Sequence, residues 1–114
     1  MRIVAIVAMV VAGLALGGLG TVGSAADPAE IKLTIESNRF TPEELKVKAN
    51  APFVIVVTNK DKTPEEVESN ELKIEKVVPP GQTVKIRVRA LKPGRYPFVG
   101  EYHEKTAKGR IIAE

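Results

Sequence analysis

Ile31, Leu33 and Ile35 alternate with Lys32, Thr34 and Glu36. A period of two sends successive side chains to opposite faces of an extended chain, so this stretch predicts a strand with its apolar row turned inward. Phe53, Ile55 and Val57 form the next such row; because Val54 and Val56 between them are also apolar, a central strand covered on both faces is predicted. Val84, Ile86 and Val88 against Lys85, Arg87 and Arg89 give a half-buried strand, and Arg110 to Glu114 a last one. Turn formers fall between these rows: Asn50 before Ala51-Pro52, Asn59 to Pro64, Pro79-Pro80-Gly81, and Lys92-Pro93-Gly94. Short strands at regular spacing between such turns predict an all-β domain, a Greek-key β-sandwich.

The stretch from Thr63 to Val78 departs from the pattern. It opens Thr63-Pro64-Glu65-Glu66, a cap residue, a proline suited to a first helical position, and acids where a helix dipole favours them. One helical turn or a bulged loop is expected there, with alternation resuming only after Leu72 and Ile74.

A different kind of segment precedes the domain. Met1 and Arg2 lead into an apolar run ending at Gly20, followed by Thr21-Val22-Gly23-Ser24-Ala25-Ala26. One positive charge, an apolar stretch and small residues are the parts of a secretory signal peptide, expected over 1–26 with cleavage after Ala26 and the domain over 27–114. The rival is a retained anchor, since the run is close to spanning length. Gly13, Gly17, Gly18 and Gly20 weaken a spanning helix and no basic cluster follows, so cleavage is favoured; membrane contact would otherwise run through this segment alone. Export places the domain in the periplasm or outside the cell. Small domains there often rely on disulfides, but the chain has no cysteine, so packing, or packing plus a ligand, must hold it. Seventeen Lys and Arg against 14 Asp and Glu give a net charge of +3 with both signs interspersed, which makes no case for nucleic acid.

Three stretches, read in order, carry a resemblance: RFTPEELKVKANAPFVIVVTNKD, VVPPGQTVKIRV and LKPGRYPFVGEYHEKTAKGRIIAE. Together they resemble a cupredoxin, the small secreted β-sandwich best known for blue copper. NKDKTPEEVES with YPFVGEYH is more closely similar to the EfeO-type cupredoxin-like domains of bacterial periplasmic proteins, some associated with iron uptake. The resemblance implies where copper ligands would stand. With His103 matched to the loop histidine, the cysteine position falls on Gly100 and the methionine position on Lys108 or Ala107. The first-histidine position falls within Pro64 to Val67, where the chain offers Glu65 and Glu66.

A blue copper site needs a thiolate and two imidazoles, which Gly, Lys and Glu do not supply. What remains is His103 with Glu65, Glu66, Glu68, Glu101 and Glu104, an oxygen-rich set suited to iron, Mn²⁺, Zn²⁺ or Cu²⁺ better than Cu⁺. Glu66 and Glu68 share a face if the chain is extended, so His103, Glu66, Glu68 and Glu101 form the candidate metal set. Each also has a plainer account. A single histidine near a loop often serves as a hydrogen-bonded structural residue, and acids at a turn form a solvated face. Tyr96 and Phe98 are expected in the core, while Tyr102 fits either side.

Enzyme signatures are missing: there is no cysteine nucleophile, no Gly-x-Ser-x-Gly elbow and no phosphate-cradling loop. The expected function is therefore not enzymatic. It is transition-metal binding, iron or copper, in periplasmic metal handling alongside a membrane transport system; the alternative is a metal-free interaction module on the same fold.

Overall fold

The computed structural model describes residues 27–114, so the leader expected over 1–26 lies outside the described residues. The described residues form nine strands: β1 (Ala29–Glu36), β2 (Arg39–Thr41), β3 (Glu44–Val47), β4 (Phe53–Asn59), β5 (Glu65–Ser69), β6 (Ile74–Val78), β7 (Thr83–Val88), β8 (Gly94–Gly100) and β9 (Lys108–Ala113). A 3-10 turn, Glu101–His103, joins β8 to β9.

The strands form two sheets, one ordered β2-β1-β4-β7 and the other β3-β9-β8-β5-β6. In each sheet one pair is parallel: β1 with β4, where Leu33 faces Val57, and β3 with β9, where Leu45 faces Ile111. Parallel neighbours cannot be joined by a tight hairpin, so these pairs are reached by crossing between sheets. The expected all-β sandwich is the observed fold, and β4 lies inside its sheet as predicted from its apolar run, but its second face is covered only in part, with Val54 buried and Val56 half-buried.

The core fills the space between the sheets. Leu33, Ile35, Val57 and Ile86 from one sheet pack with Leu45, Val67, Phe98 and Ile111 from the other. Phe40 and Phe98 meet edge to face with ring centroids 5.0 Å apart, an arrangement the ring quadrupoles favour. Phe98 is buried and Tyr96 packs on the core edge, while Tyr102 is exposed.

The stretch from Thr63 is extended rather than helical. Glu65, Val67 and Ser69 point inward and Glu66 and Glu68 are half-buried on the other face of β5. Tertiary bonds fix this conformation. Buried Asn59 donates through Nδ2 to the carbonyls of Thr63 and Val78, and its Oδ1 accepts from Asp61 N. At the far end, Ser69 Oγ donates to Pro97 O and accepts from Leu72 N. The loop after β4 is also tied to the β1–β2 hairpin. There Ser37 and Asn38 have φ of 56° and 58°, as a two-residue turn requires, and donate their N–H groups to the Asp61 carboxylate.

Candidate metal site

β5 presents carboxylates to both faces of its sheet, and the two sets have different surroundings. Inward-pointing Glu65 is 1% exposed. Its Oε1 accepts N–H groups from Glu66 and from Tyr102, each at 2.9 Å, and its Oε2 lies 2.7 Å from Nδ1 of His103. A buried carboxyl without partners costs several kcal/mol, and these contacts occupy both oxygens. The turn carrying His103 is closed behind it. Thr106 and Ala107 donate their N–H groups to the His103 carbonyl, and Gly100 N donates to Ala107 O.

Gly100 stands directly against this pair. A Cβ there would lie 2.6 Å from both the Glu65 Cδ and the Ala107 Cβ. The Glu65 carboxyl group thus takes the room that a side chain at 100 would need.

The other set lies on the outer face. The antiparallel register of β5 and β6 sets Glu68 opposite Glu75 and Glu66 opposite Val77, and the 3-10 turn after β8 carries Glu101 in beside them. One carboxylate oxygen each from Glu66, Glu75 and Glu101 lies within 4.8 Å of the others. Crowded acids resist ionisation. A side-chain hydrogen bond with Glu101, then desolvation, then the charges of Glu101, Glu75 and Glu68 raise the Glu66 pKa to about 7. Glu68 is raised as well, by desolvation first and then by Glu101, Glu75 and Glu104.

Of the residues put forward from sequence, Glu66 and Glu101 come together. Glu68 is on the same face of β5, next to the group rather than in it. His103 turns its Nδ1 to Glu65, and among the described residues the three-carboxylate group does not include it. Two residues of this region take on a role that their local sequence does not reveal. Glu75 was not singled out, although it follows Ile74, where alternation resumes, and so falls on the polar face of the next strand. Glu65 was weighed beside Glu66, with nothing in its local sequence to say that it turns inward.

A family model described as a cupredoxin-like domain matches residues 3–113. The chain belongs to the cupredoxin-like domain family. The Rickettsia prowazekii (strain Madrid E) protein RP394, named as uncharacterised, is 39% identical over 83 residues, covering 73% of this chain and 66% of that one. This cupredoxin-like chain thus matches just under two thirds of its curated relative. Among solved structures, the metal-binding domain of the Streptococcus pneumoniae Cu(I)-exporting P-type ATPase CopA superposes with a TM-score of 0.68 at 18% identity, covering 80% of this chain and 91% of that one. Auracyanin A, a blue copper protein of Chloroflexus aurantiacus, gives 0.61 at 15%, covering 77% and 100%. At such identities the likeness establishes the shared fold.

The copper that this fold family implies does not fit the core position here. The chain has no cysteine, Gly100 cannot accept a side chain without displacing Glu65, and Ala107 is fully buried beside it. Glu65 and His103 satisfy each other instead. The outer carboxylates are another matter: their convergence and all-oxygen chemistry suit a hard divalent cation.

Proposed function

We propose that this chain is an exported, non-enzymatic cupredoxin-like domain that binds a transition metal ion, iron or copper in the divalent state, on its outer carboxylates. Glu66, Glu75 and Glu101 are the ligands, and Glu68 adds charge beside them. The convergence of those three carboxylates within 4.8 Å carries this reading. Such a group is held together against its own repulsion, and a cation would relieve it. Oxygen donors favour Fe²⁺, Mn²⁺, Zn²⁺ or Cu²⁺ over Cu⁺. Metal handling in the periplasm next to a membrane transport system, as in the EfeO-type domains the sequence resembles, is the role that fits such a site. The copper proteins sharing the fold lend general support to metal binding and none to a particular metal.

The test is calorimetric titration of the metal-stripped domain with Fe²⁺ under anaerobic conditions and with Cu²⁺. Glu66→Gln and Glu101→Gln should each lower affinity by about tenfold or more, the scale expected when a charged ligand is replaced by its neutral isostere. His103→Ala should act more weakly, since its imidazole serves Glu65. Affinity unchanged in both glutamine variants would overturn the proposal. It would leave the metal-free interaction module, which the self-sufficient Glu65–His103 pair favours, as the better account.

A further inference from the structure

Glu65 has no place among the proposed ligands, yet it touches the backbone on both sides of them. The residue that donates an N–H to its Oε1 from β5 is Glu66 itself; the other donor, Tyr102, directly follows Glu101. These bonds extend the contact between the two segments just past the end of their strand pairing. The paired Cα positions between β5 and β8 are Val67 with Gly100 and Glu68 with Val99, and beyond Gly100 the chain leaves the sheet for the 3-10 turn. Within that turn no side chain is buried, so apolar packing does little to hold it. Oε2 adds a second attachment two residues after Glu101, at His103 Nδ1.

We infer that Glu65 is a positioning residue for the outer metal site: one buried carboxylate oxygen, bonded to the backbone N–H groups of Glu66 and Tyr102, sets the spacing between the ligands Glu66 and Glu101. This inference rests on the proposed function for the identity of the ligands and deepens it. The residue occupying the core position of the sandwich thereby builds the site on its surface. A side chain that filled the same space without an accepting oxygen would leave the turn attached only at its ends, and Glu101 would no longer be aimed at Glu66.

The experiment compares Glu65→Met, which keeps length and bulk but removes the acceptor, with Glu65→Gln, whose carbonyl oxygen can still accept both N–H groups. Two readouts are taken on the domain: amide hydrogen exchange by NMR without metal, and affinity for Fe²⁺ by calorimetry. In Glu65→Met the Tyr102 amide should exchange roughly tenfold faster, as the loss of one protecting hydrogen bond implies, while amides of β4 and β9 keep their protection. Its Fe²⁺ affinity should fall by a similar factor, and Glu65→Gln should restore both values to within about threefold of wild type. Wild-type exchange at Tyr102 in Glu65→Met would overturn the inference. Equal loss of affinity in both variants, with Tyr102 still protected, would also overturn it by tracing the effect to charge instead of position. A wild-type domain that binds no Fe²⁺ or Cu²⁺ would defeat the proposed function separately, and the exchange readout would still decide whether Glu65 holds the turn. If Glu65→Met fails to fold, His103→Phe, which removes the bond to Oε2 and leaves Oε1 untouched, should retain Tyr102 protection; its loss there would contradict the role given to Oε1.

Discussion

Gly100 is the residue at which the inner arrangement is most tightly constrained. A methyl group there meets Ala107 and Glu65 at 2.6 Å, both in fully buried surroundings, so neither neighbour can move into open space. Gly100→Ala should cost about 1–3 kcal/mol, the usual penalty of overpacking, read as a lower urea midpoint with an unchanged slope. An unaltered midpoint would mean that the Glu65 carboxyl group is free to shift. Glu66 governs a second residue-scale effect. Its pKa is raised from 4.5 to about 7 in the folded domain, so between those values the native state holds a proton that the unfolded chain has released. Stability linked to Glu66 is therefore full below pH 4.5, declines as pH rises, and is gone by about pH 7. Metal must displace that proton, so Fe²⁺ or Cu²⁺ affinity should run the opposite way, strengthening as pH rises through about 7. Urea midpoints at pH 5 and pH 8 in wild type and Glu66→Gln check the first trend; a pH difference that the substitution leaves intact would assign it to other groups.

At the scale of elements, β5 shows what the sequence could and could not convey. Rows such as Leu33 and Ile35 or Ile86 and Val88 were legible because apolar side chains alternate with charged ones, and their burial follows the pattern. In β5 the inward row is Glu65, Val67 and Ser69, so two of its three buried positions are polar and the period is hidden. The acids after Thr63-Pro64 then read like a helix start. What makes this a strand lies far off in sequence: Asn59 bonding Thr63 and Val78, and Ser69 bonding Pro97. Glu66 and Glu101 stood in the candidate set as carboxylates near His103, and the structure brings these two together. The contribution of Glu75 was not legible, because it depends on the β5–β6 register. Asn59→Ala tests the first of these long-range ties. It strands two carbonyls and the Asp61 N–H, and should lower stability by about 1–3 kcal/mol, with hydrogen exchange accelerated first in β5 and β6. A uniform change across both sheets would mean that Asn59 supports the whole core rather than this strand.

At the largest scale, the described residues form two layers around a continuous apolar core, whose packing residues include no metal-ligating group. Buried side chains from both sheets, Leu33, Val57, Phe98 and Ile111 among them, enclose it, and the inward carboxyl group of Glu65 is bonded internally. Chelator-treated domain should therefore keep its β-sheet circular dichroism and unfold cooperatively; a coil spectrum that becomes β only on adding metal would refute this. On the proposed reading, metal adds at the edge of a finished fold, by mass action on the native state. The central claim is thus one of place, and a crystal structure of the domain grown with Mn²⁺ or Cu²⁺, read at the metal's anomalous edge, tests it most directly. The account predicts an anomalous peak among Glu66, Glu75 and Glu101, with the Glu65–His103 contact intact. A peak between Glu65 and His103, or none at the carboxylates under saturating metal, would contradict it.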